Sequence, residues 1–219
     1  MTAGTETDKA KRTAEDGRVR RGMKTREQLL IAAIELFESK GFKATSMKDL
    51  AAAAGVQAPA IYNHFKSKDD ILAAALEWEL ENFERAVCAP DDPQEPACAR
   101  LEKLVRRHVA YQFSKPTIVR STDNLIGEAL RGFTLAPVKV AKVRTIVRTY
   151  RGLVTTIVNE LRDESSVDLA PTTICVSAIL DLCDRTVNWY RPDGDLTPID
   201  FEDGCWNMVK GMLRLDRYT

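Results

Sequence analysis

Apolar residues return every three or four positions along most of the chain, and no strand-like alternation stands beside them, so the pattern predicts helices throughout. Thr25 with Gln28 three residues later forms a capping box that starts a helix to about Lys40, with Leu29, Ala33, Leu36 and Phe37 on one face. Thr45 and Ser46 start an alanine-rich second helix that runs to Ala54. Gly55 then stands where a helix C-cap needs positive φ. A third, short helix carries Tyr62, Asn63 and His64 and closes at Phe65. Ser67 with Asp70 repeats the capping signal for a fourth helix, about Lys68 to Val87, with Leu72, Ala75, Leu76, Leu80 and Phe83 as its apolar positions. Beyond a loop marked by Pro90, Pro93 and Pro96, helices of about 97–114, 118–130, 138–163, 168–190 and 198–214 are expected. Their breaks are Pro116, Gly132 with Pro137, Asp163 to Ser166, and Pro192 to Thr197. Thr197-Pro198 is a helix start, Thr as cap and Pro in the first turn. The expected fold is all-α with about nine helices: a three-helix head over 23–83 and a helical body over 84–219.

Helix, glycine-containing turn, helix over 46–65 is the geometry that lays a recognition helix in a DNA major groove. More specific residues surround it: Phe37 and Gly41, Asp49-Leu50-Ala51, Gly55-Val56, Ile61-Tyr62, His64-Phe65 and Ser67-Lys68. This run resembles the TetR family of transcriptional regulators. Phosphate contacts set affinity and base-edge contacts set sequence. Thr45 and Ser46, at a helix N-terminus, offer hydroxyls and backbone N–H groups to phosphate, and Lys48 one turn in reaches backbone or base. The resemblance implies phosphate contacts for Tyr62, His64 and Lys68. Base readout falls on Gln57, Ala58, Ala60 and Asn63, because Gln or Asn pairs with adenine and an Ala methyl meets a thymine methyl. Three departures stand out. Gln57 replaces the serine that caps this helix in many relatives, Pro59 removes an N–H donor, and the face has no arginine for guanine.

A chain of 219 residues with 44% hydrophobic content can bury a sizeable core. No apolar run approaches the roughly 20 residues of a membrane-spanning helix, and the polar start carries no secretory signal. Residues 1–22 read as a disordered basic tail. Five cysteines, odd in number and without a CxxC pair, argue against disulfides or zinc and for a reducing cytoplasm. No metal or cofactor is expected. The net charge of zero hides an asymmetry: residues 1–68 hold 13 Lys/Arg against 8 Asp/Glu, and the remainder 19 against 24. A positive head suits phosphates.

Catalysis has no constellation to support it. With His64 assigned to the head only His108 remains, and there is no nucleophile elbow or phosphate loop, so an enzyme is not expected. Two apolar stripes mark the last helices: Ile174, Ala178, Leu182 and Trp189, then Phe201, Cys205, Met208, Val209 and Met212. In TetR-like proteins the final two helices form a four-helix dimer interface, which implies a homodimer on an inverted-repeat operator in double-stranded DNA. Between Glu128 and Glu160 there is no acid, and Arg144, Arg148 and Arg151 stack at i, i+4, i+7, a face suited to an anionic ligand. Trp189-Tyr190-Arg191-Pro192, with Gly194 and Leu196-Thr197, resembles a motif of family repressors that answer acyl-CoA thioesters. Tyr111, Phe113, Asn124 and Trp189, with His108, are pocket candidates by residue type. The expectation is a ligand-responsive repressor with an acyl-CoA as effector. The alternatives are a body that docks a protein partner, and a multidrug sensor that holds lipophilic cations through aromatics and carboxylates.

Overall fold

A computed structural model describes residues 26–164, 169–191 and 193–215. The N-terminal tail, Thr25 and Pro192 lie outside the described residues. The chain divides into two compact units between Ala75 and Leu76. No strand occurs among the described residues.

The head begins with α1, residues 26–40. Gly41, at φ 86°, ends it in a conformation that costs glycine little. Next come α2 (Met47–Ala53), α3 (Ala58–Tyr62) and the start of α4 (Lys68–Phe83). Leu30, Ile34 and Phe37 of α1, Leu50 of α2, Ile61 of α3 and Leu72 of α4 are buried. Ser46 caps α2 reciprocally: the Asp49 amide donates to the Ser46 hydroxyl (3.1 Å) and the Ser46 amide to the Asp49 carboxylate (2.8 Å). Lys40, 2.7 Å away, with these Ser46 donors, holds the Asp49 carboxyl well below the usual range. Gly55 turns the chain at φ 67°.

In the body, α4 passes into a single π-helical turn, Glu84–Cys88. Then follow α5 (Ala97–Ser114), α6 (Pro116–Leu130), a 3₁₀ turn (Pro137–Val140), α7 (Ala141–Glu164), α8 (Thr172–Trp189) and α9 (Pro198–Met212). Helix α5 is the centre, packed by α7, α8 and α9. Leu101 and Leu104, Ile157 and Val158, Ile179, and Trp206 bury their side chains in one apolar cluster. Arg100, buried at 3% exposure, bonds both Asp91 oxygens (3.1 and 2.8 Å) and Glu160, which fastens the loop before α5 to α7.

Several helix ends differ from the sequence reading. Pro116 opens α6 instead of separating two helices, since its missing N–H is harmless in a first turn, and the break is Lys115 alone at φ −148°, ψ 68°. The expected 138–163 helix is a 3₁₀ turn followed by α7, the expected 168–190 helix starts only after Pro171, and α4 gives way to the π turn at Phe83. No helix among the described residues is long and apolar enough to cross a membrane.

Candidate nucleic-acid interface and ligand cavity

Helix α3 has only five residues, so Asn63 ends it and His64 lies in the turn beyond, short of the expected closure at Phe65. The amides of His64 and Phe65 both donate to the Ile61 carbonyl at 2.9 Å. This turn buries Ile61 and Phe65 on one side and leaves Gln57, Tyr62, Asn63 and His64 exposed on the other, Tyr62 at 57%. Ala58 and Ala60 are half-buried beside them, and Lys48 is exposed on α2. Gln57 stands at the N-cap without a side-chain cap bond, as its substitution for serine predicts, and Pro59 sits in the first turn.

Two candidates depart from the expectation. Thr45 is 2% exposed and its hydroxyl donates to the Gly41 carbonyl (2.8 Å), so it supports the α1–α2 turn and Ser46 alone is the cap. The Lys68 ammonium donates to the carbonyls of Phe42 (2.8 Å), Lys43 (3.1 Å) and Thr45 (3.0 Å) and lies 4.7 Å from the Phe42 ring centre. An ammonium has three N–H groups. All three are occupied, which leaves Lys68 a clamp and not a phosphate ligand.

The body holds a half-open cavity of about 380 Å³ lined from α4 to α8, at the small end of the range for ligand sites. His108, Tyr111, Asn124 and Arg151 line it, as expected. The other four candidates do not. Phe113 packs in the core against Tyr190 and Phe201 (ring centres 5.1 and 5.2 Å), Arg144 reaches the Leu130 carbonyl (3.4 Å), Arg148 is exposed elsewhere on α7, and Trp189 ends α8 at 47% exposure. The aromatic centre of the cavity is Phe83, whose ring meets His108, Tyr111 and Tyr150 edge-on at 5.0, 5.3 and 4.9 Å.

Polar residues passed over in the sequence line the same space. Glu79, 5% exposed, accepts from the Tyr111 hydroxyl at 2.6 Å. The Tyr150 hydroxyl lies 2.8 Å from His108 Nδ1, and His108 Nε2 lies 3.0 Å from the Asp184 carboxylate and 3.2 Å from the Gln112 amide nitrogen. A ring proton on Nε2 suits the Asp184 carboxylate, which only accepts; Nδ1 then accepts from Tyr150, and the Gln112 amide turns its oxygen to Nε2. Burial, then Asp184 and Glu79, push the Asp123 carboxyl well above its ordinary range. Thr122 Oγ1 is sealed in the wall without a partner. Arg120, Arg151 and Arg185 are the cations of the lining, all exposed. These lining residues come in small groups from five helices, α4 to α8, so no single linear pattern unites them. Among the described residues no group of His, Cys, Asp and Glu is placed to hold a metal ion. Cys88, Cys98, Cys175, Cys183 and Cys205 are free thiols, and burial raises those of Cys88 and Cys205 to about 11, against reactivity.

The two apolar stripes divide. Cys205 and Val209 are buried in the core with Trp206, and Phe201 packs on Phe113, so these three expected interface residues face their own protomer. Ile174, Met208 and Met212 are exposed at 59%, 51% and 43%, with Ala178 and Leu182 half-buried. On α9 a Cβ added at Gly204 meets nothing within 4 Å.

Comparison with known proteins fits this division of labour. Residues 29–75 match the family model "Bacterial regulatory proteins, tetR family", and residues 94–213 match "Tetracyclin repressor-like, C-terminal domain". The HTH-type transcriptional repressor KstR2 of Mycolicibacterium smegmatis is 26% identical over 186 residues, 78% of this chain and 82% of that protein. The transcriptional activator FasR of the same organism is 43% identical over 58 residues, 26% of each chain. Among solved structures, a tetR-family regulatory protein from Rhodococcus RHA1 superposes with TM-score 0.76 at 22% identity, covering 87% of this chain and 97% of that one. AibR, in complex with isovaleryl coenzyme A and operator DNA, superposes with TM-score 0.71 at 21% identity, covering 86% and 98%.

Proposed function

Because the chain belongs to the tetR family of bacterial regulatory proteins, we propose that it is a ligand-responsive repressor, a cytoplasmic homodimer that holds an inverted-repeat operator until an effector enters the body. The carrying observation is that α4 runs without interruption from the head into the wall of the cavity, as Lys68–Phe83. A ligand in contact with Glu79, Leu80 and Phe83 touches the helix whose first residue clamps the head.

Operator contacts are assigned to Gln57, Ala58, Ala60, Tyr62, Asn63 and His64, with Ser46 and Lys48 at the backbone. Thr45 and Lys68 act from behind. Ile174, Met208 and Met212 would be covered by a second copy, and the open face at Gly204 lets another helix approach closely. The one hydroxyl that meets His108 and Asp184 is the Tyr150 phenol, whose proton is held on by burial, which supports a binding role for this chain of groups.

The effector class best supported is a thioester of coenzyme A with a short acyl group. The cavity is small, and Arg120, Arg151 and Arg185 at its exposed lining suit phosphates held outside it. KstR2 is named a repressor and AibR is described with isovaleryl coenzyme A, which supports the same reading. A second reading, a sensor of lipophilic cations, is favoured by Glu79, Asp123 and Asp184 beside the Phe83 aromatic cluster. A gel-shift assay on the DNA upstream of the protein's own gene decides the matter. Retardation of a fragment bearing an inverted repeat, released by short-chain acyl-CoA but not by coenzyme A, is expected. Retardation that no acyl-CoA reverses removes the thioester.

A further inference from the structure

The lining of the cavity is wrong for a plain hydrocarbon. Its apolar surface comes from Leu80, Phe83, Ile146 and Val147, but Glu79, His108, Gln112 and Thr122 are also buried in its walls. Glu79 has one bonded donor, the Tyr111 hydroxyl, against roughly four lone-pair sites on a carboxylate. Asp123 keeps surface open to the cavity, yet burial and the neighbouring Asp184 and Glu79 disfavour its charge. An alkyl chain here would strip water from acceptors and give nothing back, which costs several times what a methylene gains.

We propose that the part of this cavity around Glu79 and Asp123 recognises a hydrogen-bond-donating group, a hydroxyl or a protonated amine, at the tail of the effector. The inference deepens the effector reading above and rests on it: the anionic head stays with Arg120, Arg151 and Arg185, and the acyl tail carries its own donor. Glu79 and Asp123 accept from that donor. The Phe83, Tyr111 and Tyr150 rings supply apolar and cation-attracting walls along the way.

The test is calorimetric titration of the full chain with three probes of equal length: pentanoyl-CoA, its terminally hydroxylated analogue and its terminally aminated analogue. At least one donor-bearing ester should bind ten or more times more tightly than pentanoyl-CoA. Asp123→Leu should abolish or reverse that preference. Asp123→Asn, which keeps an acceptor without a charge, should retain a hydroxyl preference and lose an amine preference. Tighter or equal binding of pentanoyl-CoA, or a donor preference unmoved in Asp123→Leu, overturns the inference. If no ester binds, the same three chains are titrated as free carboxylates. A donor preference there keeps the inference and removes the thioester from the effector reading, whereas its absence removes both.

Discussion

A lysine at the first position of a helix is electrostatically misplaced, since the N-terminal end already carries partial positive charge, and Lys68 occupies that position in α4. Asp69 and Asp70 offset the field, and three carbonyls from the Phe42–Thr45 turn complete the shell of the ammonium. Lys68→Met therefore removes three charge-assisted bonds and should lower the stability of the head by about 2 kcal/mol, read from chemical unfolding, while the ratio of operator to random-DNA affinity stays put. Unchanged unfolding with uniformly weaker DNA binding would restore Lys68 to the phosphates. Asn63→Ala should do the opposite: the same unfolding midpoint, and a specificity ratio about tenfold lower, since one bidentate base contact is worth roughly 1–3 kcal/mol. Gly55 was readable in the sequence because positive φ has a local cause. The Lys68 clamp was not, because its partners lie 23 to 26 residues away and no spacing rule links them.

Helix starts were legible where a side chain answers its own backbone, and helix ends were legible less often. Ser46 and Thr197, cap residues in the sequence reading, are caps in the structure, and each is answered by the aspartate three residues on, Asp49 and Asp200. Both carboxyls are held below their ordinary value of 3.8, Asp49 first by Lys40 and Asp200 first by Thr197. A depressed folded-state pKa contributes stability that is full above 3.8 and lost as pH falls through the lower folded value. Unfolding free energy should thus decline on the acid side of 3.8, and Asp49→Asn should flatten part of that decline. An acid limb identical in Asp49→Asn would mean the cap carboxylate titrates alike in both states. Ser46→Ala, which removes the cap acceptor, should cost about 1 kcal/mol. Residue type alone could not sort the cavity wall. Tyr111 and Phe113 are two positions apart on α5, about 200° around a helix, so when one faces the cavity the other faces the core. Likewise the Arg144–Arg148–Arg151 stripe is real on α7, but only its last member reaches the cavity.

At the scale of the molecule, the proposed pairing of two copies rests on the outer face of α8 and α9. Gly204→Leu separates folding from pairing: within one protomer the new side chain meets nothing, and exchanging Gly for Leu in a helix gains up to about 1 kcal/mol of propensity. Sedimentation should then find a folded monomer with operator affinity largely lost. A dimer of unaltered affinity would move the interface elsewhere. The regulatory claim is sharper still, because it is thermodynamic. If the effector favours a state that fits the operator less well, the factor by which it weakens DNA binding must equal the factor by which DNA weakens effector binding. A coupling in the usual span of about 1–3 kcal/mol corresponds to roughly 5- to 150-fold. Effector affinity measured with and without saturating operator, and operator affinity measured with and without saturating effector, should give the same ratio. A ratio of one on both sides would leave a cavity that binds without regulating. With Asp123→Leu, the effector affinity of both states should fall while the ratio changes only as far as that side chain distinguishes them, so the same pair of titrations tells a recognition residue from a coupling residue.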